Sequence, residues 1–249
     1  MELRFCTWQE VETYLQSSRA IVIPIGSTEQ HGPNGLIGTD ALCPESLALK
    51  LGEETGALVA PTISVGMAQH HLAFPGSVTL LPSTLILVIR DTVNSLIQHG
   101  FNRFYFLNGH GGNIATVHAA FSEVYAQASL GKAPQKYADV RCRLKNWWEA
   151  DGVMALSREL FGNADGSHAT CGEVSLTQYA YPHSIKQAEM DPPIAPNGPI
   201  YDADDYRRRF PDGRIGSNPS LANPDAGKQL FDKALSGLKS DYATFAAST

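Results

Sequence analysis

Two short runs constrain this chain most. "RAIVIPIGS" (19–27) and "FNRFYFLNG" (101–109) are mostly apolar, end in small or glycine residues, and are each followed within a loop by a segment of helical spacing. A strand with one wet face alternates polar and apolar residues, whereas a run apolar on both faces belongs in a parallel sheet covered on both sides. "ALVAPTISVG" (57–66) predicts a second such strand, "GSVTLL" (76–81) a short one, and "ADVRCRLKNWW" (138–148) another. Helices are predicted around Trp8, Val11, Tyr14 and Leu15, over 39–56, from Pro82 to Gly100, over 114–129, and in the tail 228–246. Strands alternating with helices give an α/β fold. The expectation is a three-layer α/β/α sandwich with a mostly parallel sheet, built as a single domain over residues 1–249. From about residue 190 the chain is rich in Pro, Gly, Asn and Asp, which predicts a long ordered excursion before the tail helix.

Composition excludes several partners. Of 249 residues, 43% are hydrophobic and 18% charged, with a net charge of -6, so neither a disordered acidic chain nor a phosphate-neutralising surface is indicated. The one basic cluster, Arg207 to Arg209, follows Asp202, Asp204 and Asp205 and reads as a solvated charged turn rather than a nucleic-acid site. No apolar run approaches the roughly 20 residues of a membrane span. "MELRFCTWQEVETYL" shows no secretory leader, and Cys6, Cys43, Cys142 and Cys171 lack C-x-x-C spacing, so a reduced cytoplasmic compartment is expected.

In parallel α/β sheets, sites gather beyond the carboxyl ends of strands. Three loops carry ligand-type residues. The first, "IPIGSTEQHGPNGLIGTD", offers Glu29, His31 and Asp40; Asp40 alone would read as a helix N-cap and His31 as a loop hydrogen-bonding residue. Together they suit zinc, manganese or iron(II), and a carboxylate can bridge two ions. The second, "NGHGGN", projects His110 from a turn of three glycines, Gly109, Gly111 and Gly112; its spacing does not match a dinucleotide fingerprint. The third, "DGSHATCGEVSLTQ", carries Asp165, His168 and Glu173, with His168 expected in a loop and Glu173 near a helix start. Cys171 between them reads as a small buried residue. His70 and His71 are adjacent on a segment read as extended, so one of them, His71, is expected near the site.

These clusters, with "HLAFPGSVTL" and "GSNPSLANPDAGKQL", resemble the creatininase (creatinine amidohydrolase) family over residues 21–235. The resemblance implies a metal-dependent amidohydrolase with two divalent ions, zinc and/or manganese with iron(II) compatible, usually in a homohexamer. By position, Glu29 and His110 hold one ion, His31 the other, and Asp40 bridges them. The remaining carboxylate comes from the late motif, whose first acidic position is here Cys171 and whose second is Glu173. His168 matches the catalytic histidine, with Glu173 beside it in the catalytic motif; His71, Gly111 and Asp165 fall where substrate is bound. The creatinine-hydrolysing members carry Tyr and Glu where this chain has Gly111 and Gly112, and Trp where it has Ala164. These departures imply a small-molecule amide or formamide substrate other than creatinine. Two other readings stay open from the residues: an inactive metal-binding or structural member, because the late motif is altered, and a phosphate-binding transferase using the glycine loop.

Overall fold

The computed structural model describes residues 1–131, 137 and 139–248. At its centre is a parallel sheet of four strands in the order β2-β1-β3-β4: β1 Ala20–Ile25, β2 Leu58–Val59, β3 Arg103–Asn108 and β4 Arg141–Asn146. The two inner strands are buried along their whole length, and their side chains divide between two cores. Ala20, Val22, Tyr105 and Leu107 enter one; Ile21, Ile23, Ile25, Phe104 and Phe106 enter the other. This period of two, apolar on both faces, is why the runs show no polar alternation.

The first core is covered by α2 (Thr39–Thr55), α5 (Val153–Phe161), α6 (Cys171–Ala180) and α8 (Pro224–Ala246). The second is covered by α1 (Trp8–Leu15), α3 (Pro82–His99) and α4 (Ile114–Ser129). Helix α3 shows how sequence sets its packing. Pro82 opens it and Gly100, at φ 108°, closes it in the left-handed region. Leu85, Ile89, Val93 and Ile97 form one fully buried stripe. Each such side chain is worth about 1.5–3 kcal/mol of burial.

The long strands end level, because Ile25 pairs with Asn108 and Asn108 with Asn146. Their loops therefore open at one edge. Pro44, in the first turns of α2, has no N–H to bond the carbonyl of Asp40. That carbonyl lies against the Cα atoms of Gly26 and Gly109, where any Cβ would overlap it; at Gly109 it would also meet the Pro44 ring. Two glycines thus let α2 seat Asp40 directly over the strand ends. Gly109→Ala is expected to destabilise the fold by about 1–3 kcal/mol, the usual cost of overpacking; a urea midpoint equal to that of the parent would remove this reason for the glycine.

Some expectations are corrected. The strand expected over 57–66 shrinks to Leu58–Val59, with only an isolated bridge Ile25–Ile63 beyond it, since Pro61 has no N–H to donate to a ladder. Among the described residues "GSVTLL" forms no strand beyond the bridge Thr28–Val78. Ala138, first residue of the expected fourth strand, lies outside the described residues. Helix α5 was not expected. Arg207–Arg209 are not a turn but the end of helix α7 (Ala203–Arg209), capped by Asp202 and braced by Asp205, which accepts from Arg208 and Arg209. Cations suit a helix C-terminus, so the charge run reads correctly as helical in hindsight. The excursion after residue 190 is ordered around Arg214, fully buried, which pairs with Asp212 and donates to the carbonyls of Pro192, Pro193 and Ser217.

Candidate metal centre

Beyond β1 the chain delivers Glu29 and His31, and the first turn of α2 delivers Asp40. Asp40 is not an N-cap: Gly38 holds that position, and the Asp40 carboxylate turns to two imidazoles. Beyond β3, the asparagines of "NGHGGN" brace the loop. Asn108 donates to the His110 carbonyl and to Asn146, and Asn113 donates to the Gly26 carbonyl and accepts from Met67 N. Glu173 is the third residue of α6, where Thr170 caps the helix and its backbone N–H donates to Glu173 Oε1.

The carboxylates and imidazoles converge. His31 Nε2 is 3.1 Å from Asp40 Oδ1 and 3.8 Å from Glu173 Oε1. His110 Nδ1 is 2.9 Å from Asp40 Oδ2, and its Nε2 is 3.3 Å from Glu29 Oε2. Two overlapping groups result, Glu29–Asp40–His110 and His31–Asp40–Glu173, each with one ligand atom per residue inside 4.8 Å of the others. A third group, Glu29–His31–His168, satisfies the same spacing. Glu29 Oε1 and Asp40 Oδ2 are buried without an aligned hydrogen bond, although imidazoles lie within ion-pair distance. A buried carboxylate oxygen without a hydrogen bond is costly in a metal-free protein and is ordinary for a metal ligand. The donor set of carboxylate oxygen and imidazole nitrogen fits zinc or manganese.

Burial alone would depress the His31 imidazole, but Asp40, Glu173 and Glu29 outweigh it and hold it up at about 10. His110 is likewise lowered by burial and lifted by Glu29 and Asp40 to about 9. Burial would raise Asp40, yet His31 and His110 hold it far below the usual carboxylate range. Burial raises Glu173 to about 7, against the pull of His31, and raises Glu29 as well. Burial and the neighbouring His70 push His71 down to about 2; burial, His31 and His71 push His168 well down, so both are neutral at pH 7.

A stability prediction follows for the metal-free chain. Imidazoles raised from 6.5 to about 10 and about 9 stabilise the fold fully below 6.5 and cease to do so as pH rises through those values. Chelator-treated protein should therefore lose Tm between about pH 6.5 and 10. A bound cation replaces those protons, so saturating zinc or manganese should flatten this limb. Melting curves at pH 7 and 9, with and without metal, check it; parallel pH dependences would refute it.

The structure brings together six of the nine residues singled out in sequence as clustering polar groups: Glu29, His31, Asp40, His110, His168 and Glu173. His71 joins them through Glu29, its Nε2 lying 3.0 Å from Glu29 Oε1. The His70–His71 segment is a short 3-10 turn, not extended, so both histidines reach the same cavity; His70 is partly buried there rather than pointing away. Cavity volume is about 1120 Å³, and Gly111, Asp165, Trp147, Trp148 and Tyr206 line it. Asp165 is engaged, accepting from Ser157 Oγ at 2.6 Å and Gly172 N at 2.9 Å. Cys171 is buried and its thiol donates to the carbonyls of Ala164 and Asn218, in keeping with a small structural residue. Ala164 is itself buried. Sequence reading gave no role to Gln30, to Tyr206, or to Ser27, whose hydroxyl donates to Glu29 Oε2 at 2.8 Å. Of these only Gln30 carried a signal, lying between Glu29 and His31; Asn108 and Asn113 were in view as the ends of the glycine-loop run, but not as braces.

Comparisons with known proteins identify the fold and the family. The chain is 24% identical over 248 residues to the creatinine amidohydrolase of Pseudomonas putida, covering 93% of this chain and 92% of that one. It is 35% identical over 106 residues to the mycofactocin precursor peptide peptidase of Mycolicibacterium smegmatis, which spans 40% of this chain and 42% of the peptidase. A mutant creatininase of Zn-Zn type has the same fold, with a TM-score of 0.86 at 21% identity over 99% of this chain and 98% of that one. Residues 4–240 match the creatininase (creatinine amidohydrolase) family model, and the chain belongs to that family.

Proposed function

We propose that residues 1–249 form one domain that hydrolyses a C–N bond of a small amide or formamide with the help of two divalent ions, zinc and/or manganese, with iron(II) compatible. Glu29, Asp40 and His110 would hold one ion, and His31, Asp40 and Glu173 the other, Asp40 being common to both groups. The observation that carries this reading is the pair of groups that share Asp40, in which two buried oxygens, Glu29 Oε1 and Asp40 Oδ2, face imidazoles at 3.0 and 2.9 Å without an aligned hydrogen bond. Glu173 completes the second group, which speaks against an inactive member despite the altered motif. The phosphate-transfer alternative loses ground because the glycine loop faces carboxylates, which repel phosphate.

Bound ions would supply Lewis-acid activation of a carbonyl and of water. The chain supplies the rest. His168, neutral, offers Nδ1 to take a proton and return it to the leaving nitrogen. His71 steadies Glu29. Gly111, His71 and Asp165 border the substrate, and the two tryptophans give it an aromatic wall. By family resemblance we place the protein in the cytoplasm as a homohexamer; no helix among the described residues is long and apolar enough to cross a membrane.

Elemental analysis of purified protein, followed by hydrolysis assays on cyclic amides, linear amides and formamides, tests the proposal; a chain that retains no divalent ion after incubation with zinc or manganese refutes it. Creatinine itself is expected to be a poor substrate. The cavity of about 1120 Å³ is far larger than a small planar ring requires, and an added Cβ at Gly111 would meet nothing within 4 Å. Efficient creatinine turnover by metal-loaded protein would sink that expectation.

A further inference from the structure

Gln30 sits between two of the residues assigned to metal, is only 7% exposed, and turns its side chain to the two histidines that are not. The orientation of its amide is determined by groups with fixed roles. The Gly32 N–H can only donate, so the atom 2.8 Å from it is the acceptor Oε1. The Gly213 carbonyl can only accept, so the atom 3.0 Å from it is the donor Nε2. Tyr206 donates its hydroxyl to that same carbonyl at 2.8 Å, and so can also accept from the amide 3.2 Å away. Gly213 has φ 87°, and a Cβ there would overlap the Gln30 amide, so the late excursion presses the amide in place.

The consequences reach both histidines. With one amide hydrogen on Gly213, the other lies between His71 Nδ1 at 2.9 Å and the Tyr206 hydroxyl at 3.2 Å, and the shorter approach gives it to His71 Nδ1, which accepts it. The His71 hydrogen then resides on Nε2, 3.0 Å from Glu29 Oε1. The backbone carbonyl of Gln30 accepts from His168 Nε2 at 2.8 Å, which leaves Nδ1 bare on the side of Glu29, 3.8 Å away. The second approach, of His168 Nε2 to the amide nitrogen at 3.0 Å, is then a contact between two donors with their hydrogens directed elsewhere.

We propose that Gln30 is a positioning residue of the hydrolysis: its amide and its backbone carbonyl fix the tautomers of His71 and His168, turning the His71 N–H to the side of Glu29 and keeping a bare nitrogen on His168. This rests on the function proposed above for the roles of Glu29 and His168, but the tautomers themselves do not. Sequence places Gln30 in the ligand loop; only the fold brings Tyr206 and Gly213, some 180 residues away, to orient it.

Gln30→Glu tests this with a near-isosteric change. The carboxylate still accepts from Gly32 but has no hydrogen for His71 Nδ1, so His71 must carry its hydrogen there and turn a lone pair toward Glu29. Neutron diffraction of the zinc-loaded parent should show deuterium on Nε2 of His71 and of His168 and none on either Nδ1; in Gln30→Glu the His71 deuterium should move to Nδ1. Against the best amide found, kcat should fall about 10- to 100-fold, the usual cost of a lost outer partner, with KM changed less than about threefold and metal content unchanged. Gln30→Met, which keeps the volume and loses every side-chain hydrogen bond, should show the same loss of kcat. Deuterium on His71 Nδ1 in the parent overturns the proposal, as does kcat within about twofold of the parent in either folded variant. A parent that binds no metal defeats the proposed function, while the deuterium positions on His71 and His168 still decide the tautomers.

Discussion

Asp40→Ala is expected to reduce the divalent metal content of the protein from about two ions per chain to less than one, the largest loss of any single substitution. Asp40 is the one residue common to both carboxylate groups, with one oxygen 3.1 Å from His31 Nε2 and the other 2.9 Å from His110 Nδ1. Its removal would take a ligand from each of the two proposed ions, and with it the negative charge that both imidazoles face. Outer partners of metal ligands cost about 10- to 100-fold in affinity or activity when removed, and a shared ligand should cost more than the top of that range. Elemental analysis after dialysis gives the answer, with the amide assay alongside. Full occupancy in a folded Asp40→Ala protein would end the bridging assignment. The seat of Asp40 over Gly26 and Gly109 makes a check of folding necessary, by circular dichroism and melting.

The second large effect separates chemistry from metal binding five residues apart. His168→Ala is expected to keep both ions and lose about 10²- to 10⁴-fold in kcat, the range for a general acid–base group, which is about 3–5 kcal/mol of barrier. Glu173→Ala is expected to lose the ion of the His31 group, and activity with it. The distinction rests on surroundings. Glu173 lies 3.8 Å from His31 within a carboxylate group that already includes Asp40. His168 has its Nε2 committed to the Gln30 carbonyl at 2.8 Å and is kept neutral by burial and by two neighbouring imidazoles. The alternative grouping Glu29–His31–His168 makes the opposite assignment conceivable on spacing alone. Metal loss in His168→Ala with full occupancy in Glu173→Ala would reverse the roles.

Layering and ligand types could be read from local patterns along the chain. Runs such as "AIVIPI" and "RFYFLN" are apolar on both faces, and that pattern has one economical home, a parallel strand between two helical layers. The four-residue spacing of Leu85, Ile89, Val93 and Ile97 likewise fixed the buried face of α3. Glu29, His31, Asp40 and His110 were recognisable because carboxylates and imidazoles were concentrated after strands; His168 and Glu173 were recognisable from their own clustering, although the structure places His168 between α5 and α6 and Glu173 in α6 rather than after a strand. Other features were not legible. The strand at 57–66 was overread because apolar composition does not reveal whether a partner's ladder extends far enough, and Pro61 ended it. Asp40 taken alone reads as a cap, because local sequence reports only its place in the first turn; its company with Glu29 and His31 pointed to a ligand, and which imidazoles its carboxylate faces, His31 and His110, is decided by the fold. His71 and His70 were separated by an extended reading that a 3-10 turn overrules. Gln30 shows the same limit most plainly. Its amide is oriented by Gly213 and held against Tyr206, and a hydrogen-bond direction depends on which donors and acceptors the whole chain brings within 3 Å, which no local pattern encodes.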